Sequence, residues 1–502
     1  MSRMRIYRLL LFVCVLLISF SAFSFEKADS VLSAFEKKPG MQKAKFGVCV
    51  VDLESGETVV NYCETDTFIP ASITKLVTSA VTMKVLPENY KFKTRITTNG
   101  YILNGTLFGN LIIKGGVDPT IGSRHFPDQP SLVDECIMAL IANGINKIKG
   151  KIVINKGLYH ENAVPDDWED ADVIETFGAG LFAVNYHDNL SKVSVDISGD
   201  KPVIQYTYPY WDDFEINLDN LKVVKRKKDC RKVKQYRKKN SRKLRVSGAV
   251  LASETPLTFV TTMPDANRAF AQDLEESLLR VGISVEKDRV FAFGEKDALL
   301  IHESPAIEEI VRSLLYRSDN MYAEAVFRAN CIGHKNNLSR KKSVKREKEI
   351  LKDWGIDIDG LEFYDGSGLS RSNHFTPKFM GDLLKKVYDD KALFDRFLPL
   401  IPISGKNGTV KKLLKDTFLS GHMALKSGSM TGVQSYAGYF PAGTPKYAVV
   451  VMANKFTCGY YKINEYIEEM LLGLFRDFNP EKNPESILIA EEAKWVEEQQ
   501  EK

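Results

Sequence analysis

The hydrophobic period of this 502-residue chain changes several times along its length, which excludes any architecture built from one repeated unit. A hairpin pattern, Val48–Leu53 and Thr58–Cys63 around the turn Glu54-Ser55-Gly56-Glu57, comes first. A helix start follows at Phe68–Ala80, with Pro70 in the first turn. From about 90 to 155, short β-like runs (Arg95–Thr98, Leu111–Lys114, Lys151–Ile154) surround one helical stretch, Leu132–Ala142. Strand and turn patterns fill the span from about 190 to 260, and Asp265–Val281 returns to helix, closed by Gly282. Helices dominate from Pro305 to about 395, then come a strand at Tyr447–Met452 and a last helix near Tyr460–Phe475. The expected class is a multidomain mixture of α and β. Hydrophobic residues at 44% and charged residues at 27% fit a globular protein, not a disordered or polytopic one.

Residues 1–24 read as an export signal: Arg3, Arg5 and Arg8, the apolar run Leu9–Phe20, and Ala22-Phe23-Ser24 with small residues for cleavage after Ser24. The apolar run is too short to span a bilayer as a helix, which takes about 20 residues. An exported, cell-envelope or periplasmic protein is expected. Six cysteines follow the signal, with no C-x-x-C, so neither a disulfide framework nor a zinc site is indicated. Cys49 and Cys63 flank the hairpin and could face each other across it, with free cysteines the competing reading.

The net charge of +4 gives no general case for nucleic-acid binding. Basicity is local: residues 221–246 hold fourteen Lys or Arg and a single acid, Asp229. Two readings stand side by side, a patch for an anionic glycan or membrane surface and a solvated edge ribbon that its lysines keep from aggregating.

Three short motifs carry chemistry. Ser72-Ile73-Thr74-Lys75 puts a hydroxyl and an amine on one helix face near its N-terminus, where backbone N–H groups can hold an oxyanion. Such a lysine acts as a base only when its pKa is lowered by burial or a neighbouring cation. Ser318-Asp319-Asn320, in an extended turn, would point Ser318 and Asn320 the same way, whereas a helix N-cap is the plainer reading. Lys426-Ser427-Gly428-Ser429, on an edge strand facing a cleft, would offer positive potential and hydroxyl or N–H donors to a carboxylate, with Gly428 leaving room for an extended peptide. A polar turn is the alternative there.

Together, S-x-x-K, S-x-N and K-[ST]-G in this order resemble the penicillin-recognising serine enzymes, the β-lactamases and penicillin-binding proteins. The 243 positions from Lys75 to Ser318 are too many for a compact β-lactamase and resemble the class C low-molecular-mass penicillin-binding proteins, the D-alanyl-D-alanine carboxypeptidase/endopeptidase family of penicillin-binding protein 4 type. Gly109–Thr120, ending in Asp118-Pro119-Thr120, and Asp365-Gly366-Ser367-Gly368-Leu369-Ser370-Arg371 are similar to further signatures of that family. The chain departs from it at Ser427, where threonine is usual, and in the acidic stretch Trp168–Gly178.

The resemblance implies a transpeptidase-like domain, an antiparallel sheet flanked by helices, from residues 25–90 and 300–480. It would be interrupted by a domain from 91–185 and 260–299 and a β-rich domain from 186–259, with 481–502 an acidic tail. It implies a serine peptidase that cuts peptidoglycan stem peptides, is acylated by β-lactams and needs no metal or organic cofactor. Ser72 would be the nucleophile, Lys75 its base, Ser318 with Lys75 the proton relay and Asn320 the substrate-amide ligand. The N–H groups of Ser72 and Ser429 would form the oxyanion hole, and Lys426, Ser427, Gly428 and Ser429 would bind the terminal carboxylate strand. Arg371 and Asp172 would hold the zwitterionic end of a diaminopimelate side chain. A β-lactamase or esterase of the same fold, and an inactive glycan-binding scaffold, remain the alternatives.

Overall fold

In the computed structural model, which describes residues 27–480 except 158, 160, 211, 288–293 and 333–337, the two ends of the chain meet in one antiparallel sheet. The strands are β1 (Lys45–Asp52), β2 (Thr58–Tyr62), β3 (Ala424–Met430), β4 (Val433–Phe440) and β5 (Tyr447–Asn454), in the order β3-β4-β5-β1-β2. Pairing of β1 with β5 runs from Lys45 opposite Asn454 to Asp52 opposite Tyr447. The side chains of β1 alternate between two cores, as a strand covered on both faces must. Val48 and Val50 join helices α1 (Ala28–Glu36) and α6 (Tyr460–Leu474) on one face. Cys49 and Val51 join α2 (Thr74–Val85), α3 (Ile307–Arg317), α4 (Asn320–Ala329) and α5 (Pro377–Asp389) on the other.

Helix α2 is enclosed on nearly every side, which is unusual for a segment carrying four threonine, serine or lysine side chains in its first two turns. Hydrogen bonds to distant backbone settle part of that polarity: Thr78 donates to the Gly366 carbonyl at 2.7 Å and Thr82 to that of Val326 at 3.1 Å.

Between α2 and α3 lie two four-stranded sheets and two helices, Leu132–Ala142 and Ala266–Arg280, on a shared core that includes Ile113, Leu140 and Phe270. Leu300–Glu303 pairs with Lys93–Thr98 and so belongs to one of these sheets. Two three-stranded sheets enclose a smaller core of Val193, Val195, Leu221, Leu244 and Val246. The Lys-rich tract runs through the second of them, with Glu215–Val224 and Arg231–Tyr236 on either side of Lys243–Leu251. Arg237 is the exception in that tract: it is buried and donates to the Val173 carbonyl and to Thr262.

The hairpin forms where expected, but Cys49 lies opposite Asn61, not Cys63. Strand β2 ends at Tyr62, so Cys63 lies beyond the paired residues. The six described cysteines are all free; Cys49 is buried against Glu64 and Cys63 is exposed. The export signal and the acidic tail lie outside the described residues. No helix among the described residues is long and apolar enough to cross a membrane.

Candidate active site

Ser72 stands on a 3-10 turn, Ala71–Ile73, that runs directly into α2. Ala71 has φ +50°, a left-handed conformation that costs an ordinary residue about 1 kcal/mol or more. The surroundings hold it there. Thr74 Oγ1 donates to the Ala71 carbonyl at 2.8 Å, and Gly368 lies so close that a Cβ would sit 2.0 Å from that same oxygen. Phe68 and Phe375 exchange backbone hydrogen bonds and tie the segment before the turn to the 365–375 loop. One helical turn beyond Ser72, Lys75 Nζ reaches Ser72 Oγ at 2.9 Å, as the i, i+3 spacing predicts.

Lys75 is fully buried, and burial, partly offset by Asp365, Asp319 and Glu324, pushes its amine down to about 8. Besides Ser72 it meets two acceptors, Asn320 Oδ1 and the Ser367 carbonyl, each at 2.6 Å. The Ser367 carbonyl is a functional group that motif reading missed, and the Asp365–Arg371 stretch was its signal. Asp365 accepts hydrogen bonds from Gly368 N (2.8 Å), Ser370 N (2.7 Å) and Trp168 Nε1 (2.9 Å), and Glu324 accepts from Gly366 N (2.9 Å) and Ser367 N (3.0 Å). These two carboxylates fold the loop so that a backbone oxygen faces the amine.

Both readings of Ser318-Asp319-Asn320 hold in part. Asp319 caps α4, accepting from Tyr322 N at 3.0 Å, and the helix begins at Asn320. Ser318 is not extended: it has φ +58° at the end of α3. Its hydroxyl is therefore turned to β3, where Lys426 Nζ donates to it at 2.9 Å, while Asn320 is turned to Lys75. The described hydrogen bonds thus pair Ser318 with Lys426, where the resemblance implied a relay with Lys75. Asn320 Nδ2 donates to the Phe177 carbonyl at 2.8 Å, which ties α4 to the inserted region and leaves one amide hydrogen for a ligand.

β3 is an edge strand, as expected. Lys426 is enclosed, its second bond going to the Ser427 carbonyl at 2.6 Å, and burial together with the charge of Lys75 pushes its amine well down. Ser427 Oγ shares a hydrogen with Thr409 Oγ1 at 2.6 Å. Gly428 differs from the expectation that it clears space for a peptide. Its missing side chain is directed at the nucleophile turn, where a Cβ would lie 2.7 Å from the Pro70 carbonyl oxygen and 2.9 Å from Ser72 N. Ser429, the next residue, is exposed at the cleft.

A cavity of about 380 Å³ brings Ser72, Ser318, Asn320 and Ser429 together with Arg371 and Asp172. Arg371 pairs with Glu169 at 2.9 Å and donates to the Thr431 carbonyl at 3.3 Å. Asp172 is half-buried beside this pair, its carboxyl pushed up by burial and by Glu169 and drawn down by Arg371. Glu169, from the acidic stretch, is a second group that the motifs did not single out.

A serine hydroxyl at a helix start, held by a buried amine near its neutralisation point and bordered by an edge strand, is the arrangement of a serine acyl-transfer hydrolase. Residues 28–459 match the profile of the D-Ala-D-Ala carboxypeptidase 3 (S13) family, and the chain belongs to that family. Among its relatives, the D-alanyl-D-alanine carboxypeptidase of Actinomadura sp. (strain R39) is 23% identical over 447 residues, 86% of this chain and 80% of the relative. The D-alanyl-D-alanine carboxypeptidase DacB of Haemophilus influenzae is 24% identical over 467 residues, 89% and 92% of the two chains. The crystal structure of penicillin binding protein 4 (dacB) from Haemophilus influenzae superposes with a TM-score of 0.75 at 22% identity, over 89% of this chain and 98% of that one. The fold anticipated from the three motifs is the fold found.

Proposed function

We propose that the D-Ala-D-Ala carboxypeptidase activity of this family member proceeds through an acyl-enzyme at Ser72, with peptidoglycan stem peptides as substrates and β-lactams as acylating inhibitors. The observation that carries the assignment is the 2.9 Å contact between Ser72 Oγ and a buried Lys75 whose amine is pushed down to about 8. Neutral Lys75 takes the Ser72 proton as Oγ attacks the carbonyl of the penultimate D-alanine, and the N–H groups of Ser72 and Ser429 hold the oxyanion. The C–N bond breaks and the leaving amine takes up one proton. Ser318, which is anchored by Lys426 and lines the same cavity as Ser72, would pass it, so that the net transfer is from Ser72 to the amine with Lys75 as carrier. Water then cleaves the ester and restores Ser72. Asn320 keeps one N–H for the substrate amide, and Arg371 with Asp172 faces the third residue of the stem. The same cleft would serve endopeptidase cleavage of cross-links, whose scissile bond is also D-alanyl.

The N-terminal pattern supports export to the compartment where peptidoglycan lies. The basic strands around residues 221–246 would there face anionic glycan or membrane headgroups.

Intact-mass measurement after benzylpenicillin tests the reading. One penicilloyl group per chain, lost slowly and absent from Ser72→Ala, is expected. Rapid loss of the group would instead mark a β-lactamase, and a chain that is never modified would mark a non-catalytic binder.

A further inference from the structure

Three tyrosines at alternate positions, Tyr206, Tyr208 and Tyr210, face solvent in the inserted region. Strand Val203–Tyr208 is an edge of its three-stranded sheet, and Thr207 lies opposite Val193, a residue of the core beneath. Side chains alternate along a strand, so Tyr206 and Tyr208 point away from that core; they are 47% and 50% exposed, and Tyr210 just beyond is 50% exposed. Tyr208 and Tyr210 line a cavity of about 560 Å³, larger than the one at Ser72, where this sheet meets the helices Leu132–Ala142 and Ala266–Arg280. The rings are held in place. Tyr208 Oη meets His187 Nε2 at 3.2 Å, the two rings stand edge to face with centroids 5.1 Å apart, and Tyr186, packed on His187, donates to Asp273. Large rings left exposed beside a cavity are a binding surface more than a fold requirement.

The charges around these rings decide what kind of ligand fits. Asp273 accepts from Tyr186 and lies 3.8 Å from Arg280, and Glu276 accepts from Gln272 Nε2 at 3.0 Å. With Asp134 that makes three carboxylates against one guanidinium, and burial pushes the His187 imidazole down, so it adds no cation. An anion is repelled, while carboxylate lone pairs remain to accept hydroxyl and amide hydrogens. Aromatic faces beside such acceptors fit a pyranose, whose C–H face covers a ring while its hydroxyls donate outward. The cavity also adjoins the catalytic helix: Ser123 in its wall accepts from Tyr322 Oη at 2.7 Å, and Tyr322 stands two residues beyond Asn320 on α4. We propose that this cavity and the tyrosines beside it bind the uncharged N-acetylated sugars of the glycan strand that carries the stem peptide. The proposal rests on the peptidoglycan reading for the identity of the sugar alone. It is separate from the basic strands around residues 221–246, which would draw an anionic polymer.

The probe is chitotetraose, the β-1,4 tetramer of N-acetylglucosamine, which carries neither peptide nor charge. Its binding to the full chain is followed by saturation-transfer NMR and calorimetry in wild type, Tyr208→Ala, Tyr210→Ala and Tyr208→Phe. Wild type should bind, and about 0.5 M salt should leave the affinity unchanged because no ion pair is formed. Each alanine variant should bind roughly tenfold more weakly, whereas Tyr208→Phe, which keeps the ring face, should retain most of the affinity. All three rings changed or kept are solvent-facing, so the variants should melt as wild type does, which separates lost binding from lost folding. A wild type that binds nothing at about 10 mM sugar overturns the proposal, and so does affinity untouched by both alanine substitutions. Binding abolished by salt would assign the sugar to the basic strands and overturn it as well. The probe has no D-alanyl bond, so the two readings fail separately: a chain that binds chitotetraose through these tyrosines but is never acylated by benzylpenicillin loses the peptidase mechanism and keeps the sugar site.

Discussion

Two serine–lysine pairs stand side by side in the cleft, and their geometry is nearly the same while their electrostatics are opposed. Lys75 and Lys426 are both enclosed, and each lies 2.9 Å from a serine hydroxyl, Ser72 and Ser318 respectively. Lys75 has Asp365, Asp319 and Glu324 around it, which offset part of the burial penalty and leave its amine at about 8. Lys426 has no such support; burial and the charge of Lys75 act in the same direction and push it well down. A lysine near 8 can take a proton and give it back at neutral pH, whereas Lys426 is engaged in holding the Ser318 hydroxyl and the Ser427 carbonyl. The two amines differ in their surroundings: three carboxylates act on Lys75, and none is among the groups that act on Lys426.

The sharpest way to break this comparison is to remove each amine in turn. Lys75→Gln is expected to slow benzylpenicillin acylation of Ser72 by about 10⁴-fold and Lys426→Gln by about 10²-fold, measured as second-order rate constants. Equal losses would show that the two lysines share the proton and that the division of roles is mistaken.

Gly428→Ala probes how tightly the edge strand supports the first pair. A Cβ there would press on the Pro70 carbonyl and Ser72 N, so the variant should lose about 1–3 kcal/mol of stability to overpacking and acylate more slowly, without change at Lys426. Denaturant unfolding read beside the acylation rate checks this; a Gly428→Ala variant as stable and as fast as wild type would contradict the close approach.

The pH profile sharpens the contrast further. Acylation needs neutral Lys75, so its rate should fall about tenfold per unit below a limb near pH 8 and level off above it. The smallest expected effect belongs to Asp319→Asn. Asparagine still caps α4 but no longer attracts the ammonium, so the Lys75 amine should titrate lower and the limb should move to lower pH by roughly half a unit to one unit. A limb that stays in place, or moves upward, would remove Asp319 from the set that tunes the base.

Much of this site is visible in the residues because part of its geometry is local. Ser72 and Lys75 are one turn apart on a helix, and Ser427, Gly428 and Ser429 follow one another on a strand, so their spacing sets their directions. A second S-x-x-K in the chain, Ser339-Arg340-Lys341-Lys342, shows the limit of spacing: the same pattern there is a helix N-cap, with Ser339 accepting from Lys342 N at 3.4 Å. What distinguishes it is context, a hydrophilic surface helix against the enclosed α2.

Other parts could not be assigned from residue types. The acceptors supplied by the Ser367 and Phe177 carbonyls are backbone atoms, the same in every residue type, and only the fold brings them to Lys75 and Asn320. Glu169 is an ordinary surface-type residue until it is paired with Arg371 across the cleft. Gly428 reads as clearance for a ligand because sequence shows that a side chain is missing without showing which way it would have pointed. The expectation for Cys49 and Cys63 has a similar origin, since spacing about a turn does not show where pairing ends, and Cys63 lies past the last paired residue, Tyr62.

The sequence by itself determined the family, the order of elements and the residues proposed to carry chemistry, because those depend on residue types at short spacings and on runs of apolar period. Only the tertiary structure decided which serine each lysine holds, which carboxylates stand around Lys75 and how deeply both amines are buried. Those properties come from burial and from charges brought within a few ångströms across hundreds of positions of chain, and a linear spacing carries no record of either.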